Sequence, residues 1–125
     1  MNPLLLDTHT LLWSVGDEQQ LSPTVHELLS DGAVAAYVSA ACIWEIAIKQ
    51  AAGKLAAPEN LLDEIAGANF IELGITFEHA RVAGALPPHH RDPFDRMIVA
   101  QAQSEGFTVI TRDERIAAYD VPVLW

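Results

Sequence analysis

The sequence contains little cysteine and few basic residues. Its 125 residues include one cysteine and only 7 lysines and arginines against 17 acids, which gives a net charge of −10. A single cysteine, Cys42, excludes an internal disulfide and fits a reducing compartment; we interpret it as a small buried apolar residue of a helix. The negative surface repels polyanions at long range, which argues against nucleic-acid binding by bulk electrostatics.

Long hydrophobic runs are also missing. The longest apolar stretch, residues 33–44, is shorter than the ~18–20 residues that a bilayer helix needs. No basic residue precedes the short apolar run that Asp7 ends, so we expect no signal peptide and a cytoplasmic protein. Hydrophobic residues nevertheless make up 50% of the chain, which predicts one folded domain over residues 1–125.

Strand-like and helix-like segments alternate along the chain. Leu4–Leu6 is apolar without alternation, as buried parallel strands are, and similar segments recur at 33–39, 70–75, 107–111 and 121–124. Helices are predicted between them, at about 8–14, 22–30, 40–53, 58–68, 76–85 and 92–106. This alternation predicts an α/β fold in which helices cover both faces of a parallel sheet.

Four acidic residues follow strands or lie in the helices after them. Asp7 ends the first strand, Glu45 interrupts an apolar helix, Asp95 falls in the helix turn announced by "DPFD", and Asp113 follows "VIT". Strand ends and the following helix starts converge on one edge of an open α/β sheet. We therefore expect the four carboxylates to meet in space.

Such a cluster would favour a divalent cation. Two carboxylates ~4 Å apart lose about 4 kcal/mol at an effective dielectric near 20, so several need protonation or a metal ion. Oxygen ligands suit Mg²⁺ or Mn²⁺ rather than zinc. Two such ions would support in-line displacement at a phosphodiester.

Each acid also has a purely structural interpretation. Asp7 and Asp113 are good helix N-caps, Glu45 can form an ordinary helical ion pair with Lys49, and Asp95 can simply favour the dipole of its helix. These alternatives stay open at the level of the sequence. Asp92, directly before Pro93, is predicted to be a structural N-cap.

Several basic and aromatic residues lie near these acids. Arg96 follows Asp95 and Arg112 precedes Asp113, so either arginine could hold a phosphate locally. The adjacent pair at 89–90, two histidines, is assigned a loop role rather than a metal role. The tryptophans at positions 13 and 44 are interpreted as core or groove-lining residues rather than base-stacking platforms.

Four segments together carry a family resemblance: "LLLDTHTLLW", "SAACIWEIAIKQAAGKL", "HHRDPFDRMIVAQAQSEG" and "VITRDERIAAY". In this order they resemble the PIN-domain ribonucleases, and most of all the VapC-type toxins of bacterial toxin–antitoxin pairs. The resemblance implies a three-layer α/β/α sandwich with a short, mostly parallel sheet. It also implies an endoribonuclease that depends on Mg²⁺ or Mn²⁺.

The resemblance assigns the catalytic and metal-binding carboxylates to four residues: Asp7, Glu45, Asp95 and Asp113. Thr111 matches a hydroxyl position beside the last acid, where it would hold a ligand or water. His9 is a departure, since members of the family often have asparagine there. The implied partners are an RNA substrate, a second copy of the chain, and an antitoxin whose basic or amphipathic C-terminal segment blocks the active-site groove.

Two other functional classes compete with this interpretation. "DTHT" after a strand is similar to the nucleophile motif of haloacid-dehalogenase-type phosphatases, but that chemistry requires a second aspartate where His9 stands. In a non-catalytic binding module, by contrast, the acids would be helix caps and the apolar helix faces would bind a partner. Hydrolysis of phosphomonoesters would favour the first, and indifference to Mn²⁺ the second.

Overall fold

The computed structural model describes residues 1–125. The strands are Leu4–Leu6 (β1), Ala36–Ser39 (β2), Ile71–Leu73 (β3), Thr108–Ile110 (β4) and Val123–Leu124 (β5). The helices are Thr8–Gly16 (α1), Pro23–Asp31 (α2), Ala40–Ala51 (α3), Leu61–Gly67 (α4), Phe77–Ala85 (α5), Pro93–Glu105 (α6) and Glu114–Ala117 (α7), with a 3₁₀ turn at Glu18–Gln20. The alternation predicted from the sequence is confirmed.

The five strands form one parallel sheet in the order β3-β2-β1-β4-β5. Side chains on a strand alternate between the two faces, and Leu4, Leu5 and Leu6 are all fully buried. Both faces of the central strand are therefore covered, as predicted for an α/β/α sandwich.

The strands are shorter than the apolar segments that predicted them. Central β1 pairs over three residues only, from Leu4 opposite Ala36 and Thr108 to Leu6 opposite Val38 and Ile110. Pro3 precedes it and cannot donate a ladder hydrogen bond, and a helix begins after Asp7. Neighbouring strands can therefore pair with β1 over this short length only.

Side-chain caps fix where several helices begin. Ser22 accepts the backbone N–H of Val25 at the start of α2, and Ser39 accepts that of Ala41 at the start of α3. The longest helix, α6, has 13 residues. None of the helices combines the length and hydrophobicity needed to cross a bilayer.

The chain reverses its direction of travel across the sheet between β1 and β4. From β1 it moves outward to β2 and β3, and it then returns to the other side of β1 for β4 and β5. Open α/β sheets bind ligands at the carboxyl ends of the strands beside such a reversal. Asp7 follows β1 and Thr111 follows β4, so these two residues lie beside it.

Candidate metal-binding active site

Asp7 is both a helix cap and a site carboxylate. Its Oδ1 accepts the backbone N–H of Thr10, 2.9 Å away, which caps α1. Its Oδ2 accepts the hydroxyl of Thr111, which also belongs to the sheet edge. The side chain is buried, so the two hydrogen bonds hold the carboxylate in one orientation. The structural and functional interpretations of Asp7 are therefore compatible.

Thr111 connects the first acid with the last. Its hydroxyl donates to Asp7 and accepts the backbone N–H of Asp113 at 3.0 Å. The sequence places this hydroxyl beside the last acid, and the structure shows that its hydrogen is directed to Asp7. Thr10 strengthens the same junction by donating to the carbonyl of Ile110 at 2.9 Å.

Glu45 is buried in α3, with both carboxylate oxygens engaged. Oε1 accepts the hydroxyl of Thr8, and Oε2 accepts the Lys49 ammonium one helical turn further on. The hydrogen bond to Glu45 raises the pKa of Lys49. The predicted ion pair is present, but its carboxylate lies inside the protein rather than on a solvated helix face.

Asp95 is the carboxylate most affected by its surroundings. Burial is the largest cause that raises its pKa to about 7, and the negative charges of Asp92, Glu45, Asp7 and Asp113 add to it. All four acids predicted from the sequence are therefore close enough to interact.

His90 lies between the two C-terminal acids. Its Nε2 is 2.9 Å from Asp95 Oδ2 and 3.1 Å from Asp113 Oδ2. Its Nδ1 accepts the backbone N–H of Asp92 at 3.1 Å, so Nε2 carries the ring hydrogen, which is directed to Asp113. One atom each from His90, Asp95 and Asp113 lies within 4.8 Å of the others, so the imidazole and the two carboxylates form one compact group.

Asp113 differs electrostatically from Asp95 although both contact His90. Burial tends to raise the pKa of Asp113, but hydrogen bonds from the Arg115 backbone and the His90 ring outweigh it, and the pKa is lowered. The same Arg115 N–H makes Asp113 the N-cap of α7. Asp113 is therefore ionised under conditions in which Asp95 still holds a proton.

The guanidinium of Arg96 is engaged by the protein backbone. It donates to four backbone carbonyls in the connection between α5 and α6: those of Ala83, Leu86, Pro87 and His90. The arginine fixes the loop that presents His90. Asp92 has the predicted capping role, since its Oδ1 accepts the N–H groups of Phe94 and Asp95.

Arg112 remains available to a ligand. Its guanidinium carbon lies 4.5 Å from the ring centroid of Trp13, and the residue is exposed. A cavity of about 290 Å³ is lined by this arginine together with Asp7, His9, Trp13 and Asp113.

Cys42 lies beneath the site and is chemically quiet. It is buried on α3, with its thiol 3.7 Å from the carbonyl of Leu6. Burial raises its pKa to about 12, so the reactive thiolate is suppressed. The prediction of a small buried residue is confirmed.

Sequence reasoning missed His90 and Thr8. His90 was assigned to a loop, which is correct, but its burial and its contacts with two acids depend on the fold. A histidine directly before the "RDPFD" motif was the available signal. Thr8 follows Asp7, and only the packing of α1 against α3 shows that its hydroxyl is directed to Glu45.

The donor set fits a hard divalent cation. The four carboxylates offer oxygen ligands, which suit Mg²⁺ or Mn²⁺ better than softer metals, while the Nε2–H of His90 orients Asp113. Burial is the main cause of the raised pKa of Asp95, and repulsion by the neighbouring acids adds to it. A bound cation would relieve that repulsion.

This combination defines a class: an α/β/α protein with a parallel sheet and an acidic cluster where the chain reverses across the sheet. The sequence profile of the PIN domain family matches residues 4–122. The chain belongs to the PIN domain family, and the resemblance inferred from the four sequence segments is confirmed.

Individual relatives agree with this assignment. The chain is 32% identical over 126 residues to Ribonuclease VapC22 of Mycobacterium tuberculosis, covering 98% of this chain and 95% of that protein. Its fold matches DNA-bound VapBC from Salmonella typhimurium (TM-score 0.73, 21% identity, 99% of this chain and 98% of that chain). A toxin–antitoxin complex from Klebsiella pneumoniae also matches (TM-score 0.66, 19% identity, 98% and 96%).

Proposed function

We propose that residues 1–125 form a single nuclease domain that hydrolyses RNA phosphodiester bonds with Mg²⁺ or Mn²⁺, as the toxin of a toxin–antitoxin pair. The observation that carries the proposal is the convergence of Asp7, Glu45, Asp95 and Asp113: burial raises the pKa of Asp95, and the charges of the other three add to the shift. The identity with a protein named as a ribonuclease supports RNA as the substrate class.

The four carboxylates would divide the work of holding the cation. Asp7 and Glu45, oriented by Thr111 and Thr8, supply fixed oxygen atoms. Asp95 and Asp113 supply the remaining ones. When bound, Mg²⁺ or Mn²⁺ activates water and stabilises the charge that develops on the phosphodiester.

Cleavage of RNA by the purified protein tests the catalytic part of the proposal. We expect cutting in Mg²⁺ or Mn²⁺, no cutting in EDTA, and none by Asp7→Asn or Asp95→Asn, because each substitution removes a negatively charged ligand. Circular dichroism of both variants checks that the fold is intact. Undiminished RNA cleavage by both folded variants would end the proposal, as would hydrolysis of small phosphomonoesters but not RNA.

Metal titration separates a nuclease from a binding module whose acids are only helix caps. A cation that binds only the folded protein must raise its stability, so we expect millimolar Mn²⁺ to raise the melting temperature. Asp95→Asn should reduce this rise. A melting temperature that does not change when Mn²⁺ is added would favour the binding module.

An apolar groove supports an amphipathic partner segment. It has a volume of about 420 Å³, lies between α3 and α4, and seven of its eight lining residues are hydrophobic. Trp44 and Leu62 on its rim are exposed to 61% and 66%, and such anchors are typical of surfaces that receive an amphipathic helix. Glu72 in the lining and the net charge of −10 favour a basic segment. We assign this groove to the antitoxin.

The product of a small neighbouring reading frame is the candidate antitoxin. We expect it to co-purify with the chain and to inhibit RNA cleavage, and Leu62→Glu should release it by placing a charge in the apolar contact. Glu59→Gln, outside the groove lining, is the control. Full inhibition of the Leu62→Glu variant would remove the groove from the proposal.

A second apolar surface supports a homodimer. Phe77 is 96% exposed at the start of α5, and Ile71 and Ile75 near the edge strand β3 are 42% and 41% exposed. Contiguous exposed apolar residues mark interaction surfaces. We expect a dimer in sedimentation experiments and a monomer for Phe77→Asp. We further propose that the protein acts in the cytoplasm, where its single thiol stays reduced.

A further inference from the structure

We propose that Arg112 and His9, both fixed against Trp13, form a nucleotide-binding subsite beside the acidic cluster. Arg112 would bind the phosphate next to the one that is cleaved, and His9 would stack against the adjoining base. This inference rests on the proposed RNA cleavage and adds to it the residues that position the substrate.

The subsite and the acidic cluster share one cavity. The cavity of about 290 Å³ is lined by Asp7 and Asp113 from the cluster and by His9, Trp13 and Arg112 from the subsite. A strand of RNA whose scissile phosphate reaches the two carboxylates must therefore pass the arginine. Arg112 is the basic residue in this lining, so it is placed to attract the neighbouring phosphate.

Arg112 is held in place without using its hydrogen-bond donors. The guanidinium lies over the Trp13 ring, with its carbon 4.5 Å from the ring centroid and 6.0 Å from that of Trp125. It forms none of the ion pairs in the structure. Stacking on aromatic faces leaves the fork of N–H donors open for bidentate contact with a phosphate. Arg96, whose two terminal nitrogens both donate to carbonyls, shows the contrasting use.

His9 extends the same stack towards solvent. Its ring centroid is 5.6 Å from that of Trp13 at an interplanar angle of 29°, and the residue is exposed. Trp13 is itself fixed by an edge contact with Trp125. An exposed aromatic ring stacked on a half-buried one offers a face to a nucleobase, as single-strand binding sites do.

A second cavity continues the path beyond the stack. It has a volume of about 410 Å³, and His9 and Trp13 line it as well, together with Leu12 and residues 55–58. The two aromatic residues thus form a wall shared by both cavities. RNA leaving the acidic cluster would cross this wall, which places base stacking at His9 and phosphate contact at Arg112.

The overall charge makes such local contacts necessary. With a net charge of −10, the protein repels RNA at a distance. Affinity must then come from contacts close to the site, namely stacking and a cation beside the phosphate. Trp13 lines both cavities, as interpreted from the sequence, and in this proposal it also supports two substrate-binding residues.

RNA affinity and its salt dependence test the proposal together. All variants carry Asp95→Asn to block cleavage, and a short fluorescein-labelled RNA of mixed sequence is titrated in Mg²⁺ by fluorescence anisotropy. Removing one phosphate contact lowers the slope of log affinity against log salt by about 0.7 for single strands. We expect this change, and weaker binding, for Arg112→Met. Arg81→Met, which removes an exposed arginine paired with Glu78 on α5, should change neither.

His9 should affect affinity but not the salt slope. Loss of one base–aromatic stack weakens binding about tenfold, and we expect this for His9→Ala. His9→Phe keeps an aromatic face and should retain the affinity. Arg112→Met and His9→Ala alter exposed side chains, and their melting temperatures in EDTA should match that of the Asp95→Asn parent.

The outcomes separate the subsite from the nuclease. If the unaltered protein cuts RNA but Arg112→Met keeps the full salt slope and His9→Ala the full affinity, the subsite is wrong and the nuclease stands. If His9→Phe binds as weakly as His9→Ala, stacking is wrong. If the unaltered protein neither cuts nor binds RNA, the proposed function fails and the subsite fails with it.

Discussion

The two pairs of acids in the site are supported in different ways. Asp7 and Glu45 each receive a threonine hydroxyl, and a backbone N–H or a lysine engages the other oxygen. Asp95 and Asp113 instead share one histidine nitrogen. Asp113 also accepts the backbone N–H of Arg115, so folding orients three of the four carboxylates, whereas Asp95 keeps a burial cost and a repulsion that a cation would relieve. The site is thus largely assembled before any ligand binds.

The largest expected effect is the pH dependence of the free energy of unfolding, which tests the environment of Asp95. The pKa of Asp95 is raised from 3.8 to about 7 in the folded protein, so the folded state holds the proton more tightly than the unfolded state does. Without metal, the Asp95 contribution to the free energy of unfolding is therefore most favourable at low pH, falls as the pH rises above 3.8, and levels off above about 7. Between about pH 5 and pH 8 the loss should be roughly 2–3 kcal/mol.

Urea unfolding in EDTA measures this loss. Asp95→Asn cannot ionise, so its stability should fall less over the same pH interval, and at pH 8 it should exceed that of the unaltered protein. Asp92→Asn is a poor control, because it removes a helix cap, so Asp63→Asn on α4 is preferred. If the free energy of unfolding of the unaltered protein and of Asp95→Asn fell equally with pH, Asp95 would not be the source of the loss.

Removing the Thr111 hydroxyl tests the preassembled pair. Thr111→Val keeps the shape but leaves the buried Asp7 carboxylate without one donor, and it removes the acceptor for Asp113 N–H. An unsatisfied buried polar group costs about 1–3 kcal/mol. We expect a stability loss of that order, together with slower RNA cleavage. Thr108→Val, on the same strand, should cost much less in both assays.

The shared histidine tests the other pair. His90→Gln removes the ring that contacts Asp95 and Asp113, and groups that orient metal ligands typically affect metal affinity about tenfold or more. We expect Mn²⁺ to stabilise this variant at roughly tenfold higher concentration. His89→Gln is the matched control, since His89 is exposed and contacts only the Tyr119 ring edge-on. Equal Mn²⁺ midpoints for the two variants would contradict a role for His90.

The smallest effect is expected at Lys49. Lys49→Met removes the cation that engages Glu45 Oε2, but this lysine side chain is 39% exposed, so solvent screens much of the interaction. A loss of about 1 kcal/mol follows from the energetics of such pairs. Adding Glu45→Gln should recover most of it in a double-mutant cycle. Lys54→Met, an exposed lysine beyond α3, should leave stability unchanged.

Local signals were sufficient to predict most of the fold. Leu4–Leu6 predicted a buried strand, and Ser22-Pro23 and Asp92-Pro93 predicted helix starts. All three predictions are confirmed. The lengths of the other strands were overestimated because β1 is short and limits how far its neighbours can pair. The apolar segments of those neighbours carry no signal of this limit.

The site was less accessible to sequence reasoning, because its contacts join distant parts of the chain. Thr111 and Asp7 are separated by 104 positions, and His90 and Asp113 by 23. The arginines illustrate the difficulty. Arg96 and Arg112 each adjoin a site acid in the sequence, yet the first is directed to backbone carbonyls and the second to tryptophan rings. Which use each arginine has depends on the folded loop around it.

The four carbonyl contacts of Arg96 have a consequence for how this protein can vary. The Arg96 guanidinium donates to carbonyls at the end of α5 and in the following loop, and these hydrogen bonds hold the segment that carries His90. Within this segment the side chains of Pro88 and His89 are exposed, so we expect substitutions there to be tolerated. An added or deleted residue would instead shift the imidazole away from both aspartates while leaving the sheet untouched. The number of residues between positions 83 and 96 is therefore more constrained than the identity of those residues.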